Sequence, residues 1–416
     1  MDALKKDVAA AIDGMREELL ALSHAIHGEP ELALEEHKAA ARLSGAVEAH
    51  GVGVQREAFG LPTAYAAEFG ARGPTVAILS EYDALPGIGH ACGHNIIATS
   101  GYGAAMALAK LGARLPGRVR YLGTPAEERA GGKEMMAREG AFDRVDAAMM
   151  MHPSNMNLIT MPCIAISEVE VIYHGKSAHA SAMPYRGLNA LDAVVTAYQA
   201  IAQLRQHIRQ TERIHGIITE GGLAPNIVPE RAACRFFVRA ADAHELAHLR
   251  ERVKACFDAG ALATGCRAEI KWGEIDYLDL KTNWPMAESY ARNAEALGRE
   301  FFPIKDLPGG YAGSTDMGNI SHRVPSIHPM LAVAPAGIII HNPEFARWAA
   351  SDKGDEAVID GAKSLAWTAL DLMCDSRLMA KVRADFDATA ELSRLAVEKT
   401  MHSHGHNHAH GGCGCA

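Results

Sequence analysis

Within the segment His90–Asn95, HACGHN, a cysteine and two histidines alternate with small residues, just after the acidic run Glu81–Gly87, EYDALPG. A thiolate and an imidazole two residues apart, Cys92 and His94, held on a glycine-containing turn, can both face one metal ion. Glu127 and Glu128 stand side by side in GTPAEE, at the end of the apolar stretch 119–122. After a strand such a pair can divide its labour. One carboxylate holds metal while its neighbour takes a proton from water that the metal has acidified. His152 in MMMHP and His341 in IIIHNPEF each close an apolar run. Cys92, His94, Glu128, His152 and His341 together offer sulfur, nitrogen and oxygen donors enough for two cations about 3.5–4 Å apart. The chemistry indicated is hydrolysis.

These clusters need elements that bring them to one place. Three β-type segments, 75–79, 119–122 and 147–151, run straight into Glu81 and Asp83, into Glu127 and Glu128, and into His152. The helical patterns between them indicate an α/β sheet, whose strands present their carboxyl ends to a shared crevice. From about Glu168 the pattern changes to strand 168–174, helix 187–209, strands 214–219 and 232–239, helix 243–263 and strand 266–271. This βαββαβ order predicts a ferredoxin-like sandwich inserted into the first domain. The expected organisation is a mixed-sheet catalytic domain in two parts, 1–166 and 278–400, an inserted domain over 167–277, and a disordered tail over 401–416. The pattern Asp355 to Met373 predicts a helix covering the catalytic domain.

A chain of 416 residues, 48% hydrophobic, is long enough for more than one packed domain. Its formal charge of -9 gives no reason to expect nucleic acid or an anionic membrane as partner. The longest apolar run, Leu331 to Ile340, is interrupted by Pro335 and Gly337, too short to span a bilayer. At the N-terminus the helical spacing of Val8, Ile12, Met15, Leu19, Leu22 and Ile26 is unlike a signal peptide, so the expected location is cytoplasmic. Eight cysteines scattered over this length do not read as a disulfide framework. The tail, MHSHGHNHAHGGCGCA, carries no apolar periodicity, and its alternating histidines with Cys413 and Cys415 are candidate metal donors.

The segments EYDALPGIGHACGHN, GTPAEE, GKSAHAS, PNIVPE, GSTDMGN and IIIHNPEF occur in the order typical of the aminoacylase and carboxypeptidase G family of di-metal amidohydrolases. Over residues 15 to 375 the chain resembles that family, nearest its aminoacylase-1-like, β-alanyl-dipeptidase and aminobenzoyl-glutamate hydrolase branch. The resemblance implies two divalent metal ions per subunit, zinc or manganese, held by Cys92, His94, Glu128, His152 and His341, with Glu127 as catalytic base. Asp83 would orient an imidazole ligand. His179 in GKSAHAS would reach the active site of a partner subunit and stabilise the oxyanion. Asn226 and Arg239 would contact substrate, the arginine by a bidentate grip on a carboxylate. Gly313 to Asn319 would shape the pocket or support His341. The inserted domain would serve for dimerisation and as a lid, giving a homodimer or a higher oligomer built from dimers. The substrates expected are N-acyl amino acids or small dipeptides.

Two rival functions stand beside this one. A zinc deaminase would need a C-x-x-C, which this sequence lacks. A metal-storage or metal-delivery protein on a hydrolase scaffold would explain the His- and Cys-rich tail, but it leaves Glu127 beside a full ligand set without a purpose.

Overall fold

The apolar segments that precede the acidic clusters form the centre of a mixed sheet in the computed structural model, which describes residues 1–307 and 312–402. The chain divides into two compact units, one of Met1–Pro162 and Leu280–Ser393, the other of Cys163–Asp279 with residues 394–402. In chain order the first unit holds β1 (Val54–Arg56), β2 (Tyr65–Phe69), β3 (Thr75–Ser80), β4 (Arg118–Gly123), β5 (Ala147–Met149) and β6 (His152–Ser154). The second holds β7 (Ala165–His174), β8 (Arg213–Glu220), β9 (Arg231–Ala240) and β10 (Arg267–Trp272). β11 (Ser326–Ile327) and β12 (Met330–Ala332) return to the first.

The first unit's main sheet has the order β1-β2-β4-β3-β5-β11. β3 pairs in parallel with β4 and β5, and β5 with β11, while β2 runs antiparallel to β1 and β4. A parallel centre must be covered on both faces, which a continuous apolar strand permits. β3, TVAILS, is buried throughout. Val76 and Ile78 face a cluster containing Leu19, Ile96 and Leu365, and Ala77 and Leu79 face another containing Met136, Phe142 and Met317. The helix His94–Ala109 lies close over β3 because Gly101 has no Cβ, which would stand 2.5 Å from the Ser80 Oγ. The expected covering helix is Asp352–Cys374, capped by Ser351, whose side chain accepts from the Gly354 N–H. Beside the main sheet, β6 and β12 form a parallel pair that sets His152 opposite Met330.

The second unit has the strand order β10-β7-β9-β8 with every pairing antiparallel. Helices Ala190–Leu204 and Ala243–Thr264 pack on one face, where Val169, Val171 and Phe236 meet Val194, Leu246 and Phe257. This is the ferredoxin-like βαββαβ arrangement. The first of these helices starts at Ala190 rather than 187, because the Asn189 side chain accepts from the Leu191 and Asp192 N–H groups. The unit is longer than the expected 167–277, since β7 begins at Ala165 and Ile166 bridges Tyr277. Residues from 394 were expected in the catalytic domain. They join the second unit instead, where Ala396 buries against Ala243 and Leu278. The helix Ala390–His402 runs into the expected tail, and the rest of that tail, 403–416, lies outside the described residues.

Candidate metal centre

The chemistry-bearing residues of the first unit lie just beyond the carboxyl ends of the parallel strands. Glu81 and Asp83 follow β3, Glu127 and Glu128 follow β4, and His152 begins β6 just after β5. Crevices at such strand ends expose backbone and side-chain polar groups without disturbing the sheet core.

The HACGHN turn reaches this place because of Gly93. Its φ of +78° suits glycine, and a Cβ there would stand 2.5 Å from the Pro153 Cγ. That close approach brings Cys92 Sγ to 3.4 Å from His152 Nε2. The Nδ1 of His152 lies 2.7 Å from the Pro153 carbonyl oxygen, a geometry that protonates Nδ1 and leaves Nε2 with its lone pair toward Cys92. His94 is fixed in the same sense. Asp83 Oδ1 takes its Nδ1 at 3.0 Å, while Asp83 Oδ2 accepts the Glu128 N–H at 2.9 Å. One carboxylate therefore orients an imidazole and ties the loop after β3 to the loop after β4.

The GTPAEE loop is bent sharply at Ala126, whose φ is +61°. Its carbonyl accepts from the N–H groups of Ala130, Gly131 and Gly132, and its own N–H donates to Glu36 Oε1 at 2.8 Å. The bend turns Glu127 and Glu128 back over the strand ends. His341 also has a left-handed backbone, φ +64°, and donates its N–H to the Ala91 carbonyl at 2.9 Å. Its Nε2 lies 3.5 Å from Glu128 Oε2, and its side chain is 53% exposed, so this is the open side of the cluster.

The buried His94 Nε2 and Glu128 Oε1 face each other at 3.8 Å with no hydrogen-bond partner for either. Orphaned buried polar atoms are rare, and two such acceptors converging call for a cation. Donor atoms within 4.8 Å of one another group as Cys92, His94 and His152, as Cys92, Glu128 and His341, and as His94, Glu127 and Glu128. The mixed S, N and O set fits divalent ions. All five expected ligands, with Glu127 and Asp83, thus meet in one cluster.

Burial sets the electrostatics. It raises the Cys92 thiol well above its ordinary pKa, with Glu128 adding to the effect, and lowers His152, with His328 pushing the same way. Glu127 is held well above the carboxylate range by burial first, then by Glu81, Glu128 and Asp316. A divalent ion inverts this logic, favouring thiolate, neutral imidazole and carboxylate. Asp83 differs: burial would raise it, but the His94 hydrogen bond and charge, the Glu128 N–H and Lys133 bring it below its ordinary value.

Several contributors carry no sequence signal. Glu36 holds the Ala126 bend and accepts from Thr63 Oγ1 at 2.9 Å; burial and Asp83 raise its pKa to about 7. His328 stacks obliquely on His152 with ring centroids 5.4 Å apart. Lys133, fully buried, pairs with Glu81 and Asp316.

The other expected residues belong to the second unit. His179 is exposed, and its Nδ1 accepts from the Ala182 N–H at 3.2 Å and lies 3.3 Å from the Ser181 hydroxyl. A ring so held carries its proton on Nε2. Asn226 is its neighbour, since His179 bridges Ile227 and the Ala180 N–H donates to the Asn226 carbonyl. Arg239 is half-buried on β9, its Nε donating to His215 Nε2 at 3.3 Å and its guanidinium 5.9 Å from the Phe237 ring centroid.

Comparisons with known proteins place this geometry in context. The family model "Peptidase family M20/M25/M40" matches residues 77–366. The chain is 41% identical over 410 residues to the Xaa-Arg dipeptidase of Mus musculus, covering 95% of each. It is 27% identical to a p-aminobenzoyl-glutamate hydrolase chain of Escherichia coli K12, over 91% of this chain and 94% of that one. A dinuclear metal-binding peptidase of the M20 family from Bacillus subtilis shares the fold, with TM-score 0.67 at 22% identity over 87% of this chain and 99% of that one.

Proposed function

The chain belongs to peptidase family M20/M25/M40 and is a hydrolase acting on amide bonds, and from that premise we propose that it cleaves dipeptides or small N-acyl amino acids at the centre of Cys92, His94, Glu128, His152 and His341. The observation that carries this reading is the pair of orphaned buried atoms, His94 Nε2 and Glu128 Oε1, in a ring of further donors. Zinc and manganese both suit these donors, and the thiolate favours zinc. Bound there, the two ions would supply the charge that acidifies the attacking water towards a pKa of ~7 and polarises the scissile carbonyl.

The chain's own residues do the rest. Glu127 takes the proton from the attacking water and returns it to the leaving amine. Its place beside the ligand Glu128 is set by the Ala126 bend. Asp83 holds His94 in the tautomer that turns Nε2 to the centre. His179, with its proton on Nε2, donates to the developing oxyanion. Arg239 and Asn226 hold the substrate, the arginine by its carboxylate.

The second unit acts as lid and dimerisation domain, and His179 serves the active site of a partner subunit in a homodimer or an oligomer of dimers. β8, at the edge of its sheet, offers a strand for pairing. Among the described residues no helix is long and apolar enough to cross a membrane, and the cysteines there are unbridged, which supports a reducing, cytoplasmic setting. Dipeptides lead the substrate panel because the relative at 41% identity is named for that activity. The metal-storage alternative finds no counterpart among these relatives.

The test is a panel of dipeptides with basic and neutral C-terminal residues, N-acetyl amino acids and aminobenzoyl-glutamate, assayed after chelation and after return of zinc or manganese. Turnover of at least one class that chelation abolishes and metal restores is expected. No turnover on any member with metal restored would sink the proposal.

A further inference from the structure

Glu127 also belongs to a second, acidic cluster that none of the five proposed ligands enters. Carboxylate oxygens of Glu81, Glu127 and Asp316 lie within 4.8 Å of one another, all in buried residues. They come from three separate elements: the end of β3, the loop after β4, and the turn before the short helix Met317–Ser321. Three carboxylates at this spacing are a ligand set for a hard divalent cation. The cation already present is Lys133, whose side chain is fully buried.

Lys133 is held from both ends. Its ammonium binds Glu81 Oε1 and, at 2.6 Å, Asp316 Oδ1, while its backbone N–H donates to Asp316 Oδ2 at 2.9 Å. The Ala126 bend delivers it, since the Gly131 and Gly132 N–H groups turn back onto the Ala126 carbonyl where the helix Gly132–Arg138, which carries Lys133, begins. The loop that carries Glu127 therefore also carries the counter-charge for the two acids beside Glu127. Glu81 Oε2, which Lys133 leaves without a hydrogen-bond partner, lies 3.7 Å from His94 Nε2. Freed from its ammonium, Glu81 would stand between the metal centre and the acidic cluster.

We propose that Lys133 is a built-in counter-cation, a positioning residue that fills what would otherwise be a third cation site and so keeps Glu127 out of the ligand set. This rests on the reading of Glu127 as the base. The ammonium pins Glu81 and Asp316 in one arrangement, as any structural ion pair would. Beyond that, it denies a divalent ion the three-carboxylate pocket in which Glu127 would become a ligand.

The experiment is Lys133→Met in the full chain, with metal content measured after dialysis against manganese and kinetics measured on the best substrate. Expected are about one extra manganese per chain and a fall in kcat of about 100-fold with KM changed less than about threefold. Lys133→Arg keeps the charge, so it should show no extra metal and recover part of kcat. Unchanged metal content with kcat near that of the parent would overturn the proposal. Removal of one member of a buried pair is strongly destabilising, so Asp316→Asn supplies a second arm if Lys133→Met does not fold. That variant should lose kcat at unchanged KM, with metal content held. A fall in thermal stability with kcat and KM both unmoved would assign Lys133 and Asp316 a structural role only. Glu127→Gln, run in parallel, separates the two claims: retained turnover in it would overturn the base, while an inactive Glu127→Gln beside an unaffected Lys133→Met would overturn the counter-cation alone.

Discussion

Apart from the exposed His341 and the half-buried Arg239, the two units hold their candidate functional side chains in opposite ways. In the first, His94, Asp83, Glu81 and Lys133 are buried and each is fixed by a partner from another strand or loop. In the second, His179 and Asn226 sit exposed on loop segments that pair with each other through backbone bonds. Burial over-determines a metal centre, where a displacement of a few tenths of an ångström costs affinity. Exposure suits groups that must meet a substrate arriving from solvent. Damage to the proposed ligands of the first unit, or to the groups that orient them, should therefore show in metal content, and damage in the second unit in kinetics with metal content intact.

His152→Ala should have the largest effect. It removes a proposed ligand and uncovers Cys92, so turnover should fall by at least about 1,000-fold together with loss of metal; elemental analysis and kinetics on the same sample check this. His179→Ala should cost about 100- to 1,000-fold in kcat while both metals stay bound, the loss expected for one oxyanion donor. If His179 serves the partner subunit, mixing that variant with Glu127→Ala after subunit exchange should restore activity at about a quarter of all sites. A mixture no more active than its parents would place His179 within its own chain.

Asp83→Asn should weaken metal affinity by about 10- to 100-fold, measured by competition with a chelating dye, because the imidazole loses its orienting carboxylate. The smallest effect is expected from Gly93→Ala. The added Cβ meets Pro153 at 2.5 Å on a left-handed backbone, for about 1–3 kcal/mol of lost stability. Thermal denaturation reads it directly, and an unchanged midpoint would show that the turn relaxes without strain.

Much of this was legible in the sequence because strong local patterns wrote it there. The apolar runs at 75–79 and 119–122 became β3 and β4, and the acidic residues after them lie where a parallel sheet puts its crevice. The βαββαβ alternation of the second unit survived with boundaries shifted by a few residues, since long elements with a clear period resist local error. Shorter elements left no trace. β1 has three residues and β11 two, below any reliable period. Lys133 and Glu36 were missed for a different reason. A buried charge reads like a solvated one until its partners, which are 52 and 183 residues from Lys133 along the chain, are brought together by the fold. Residues 394–402, expected in the catalytic domain as far as 400, join the second unit because the apolar spacing of a segment does not say which surface it will cover.

The claim on which the account turns is the division of labour between two adjacent carboxylates, Glu127 as base and Glu128 as ligand. Glu127→Gln changes one atom of one side chain and spares all five proposed ligands. Measured on one preparation, its metal content should match that of the parent while kcat falls by about 100- to 10,000-fold. Loss of metal from Glu127→Gln, or turnover close to the parent with metal retained, would contradict the account.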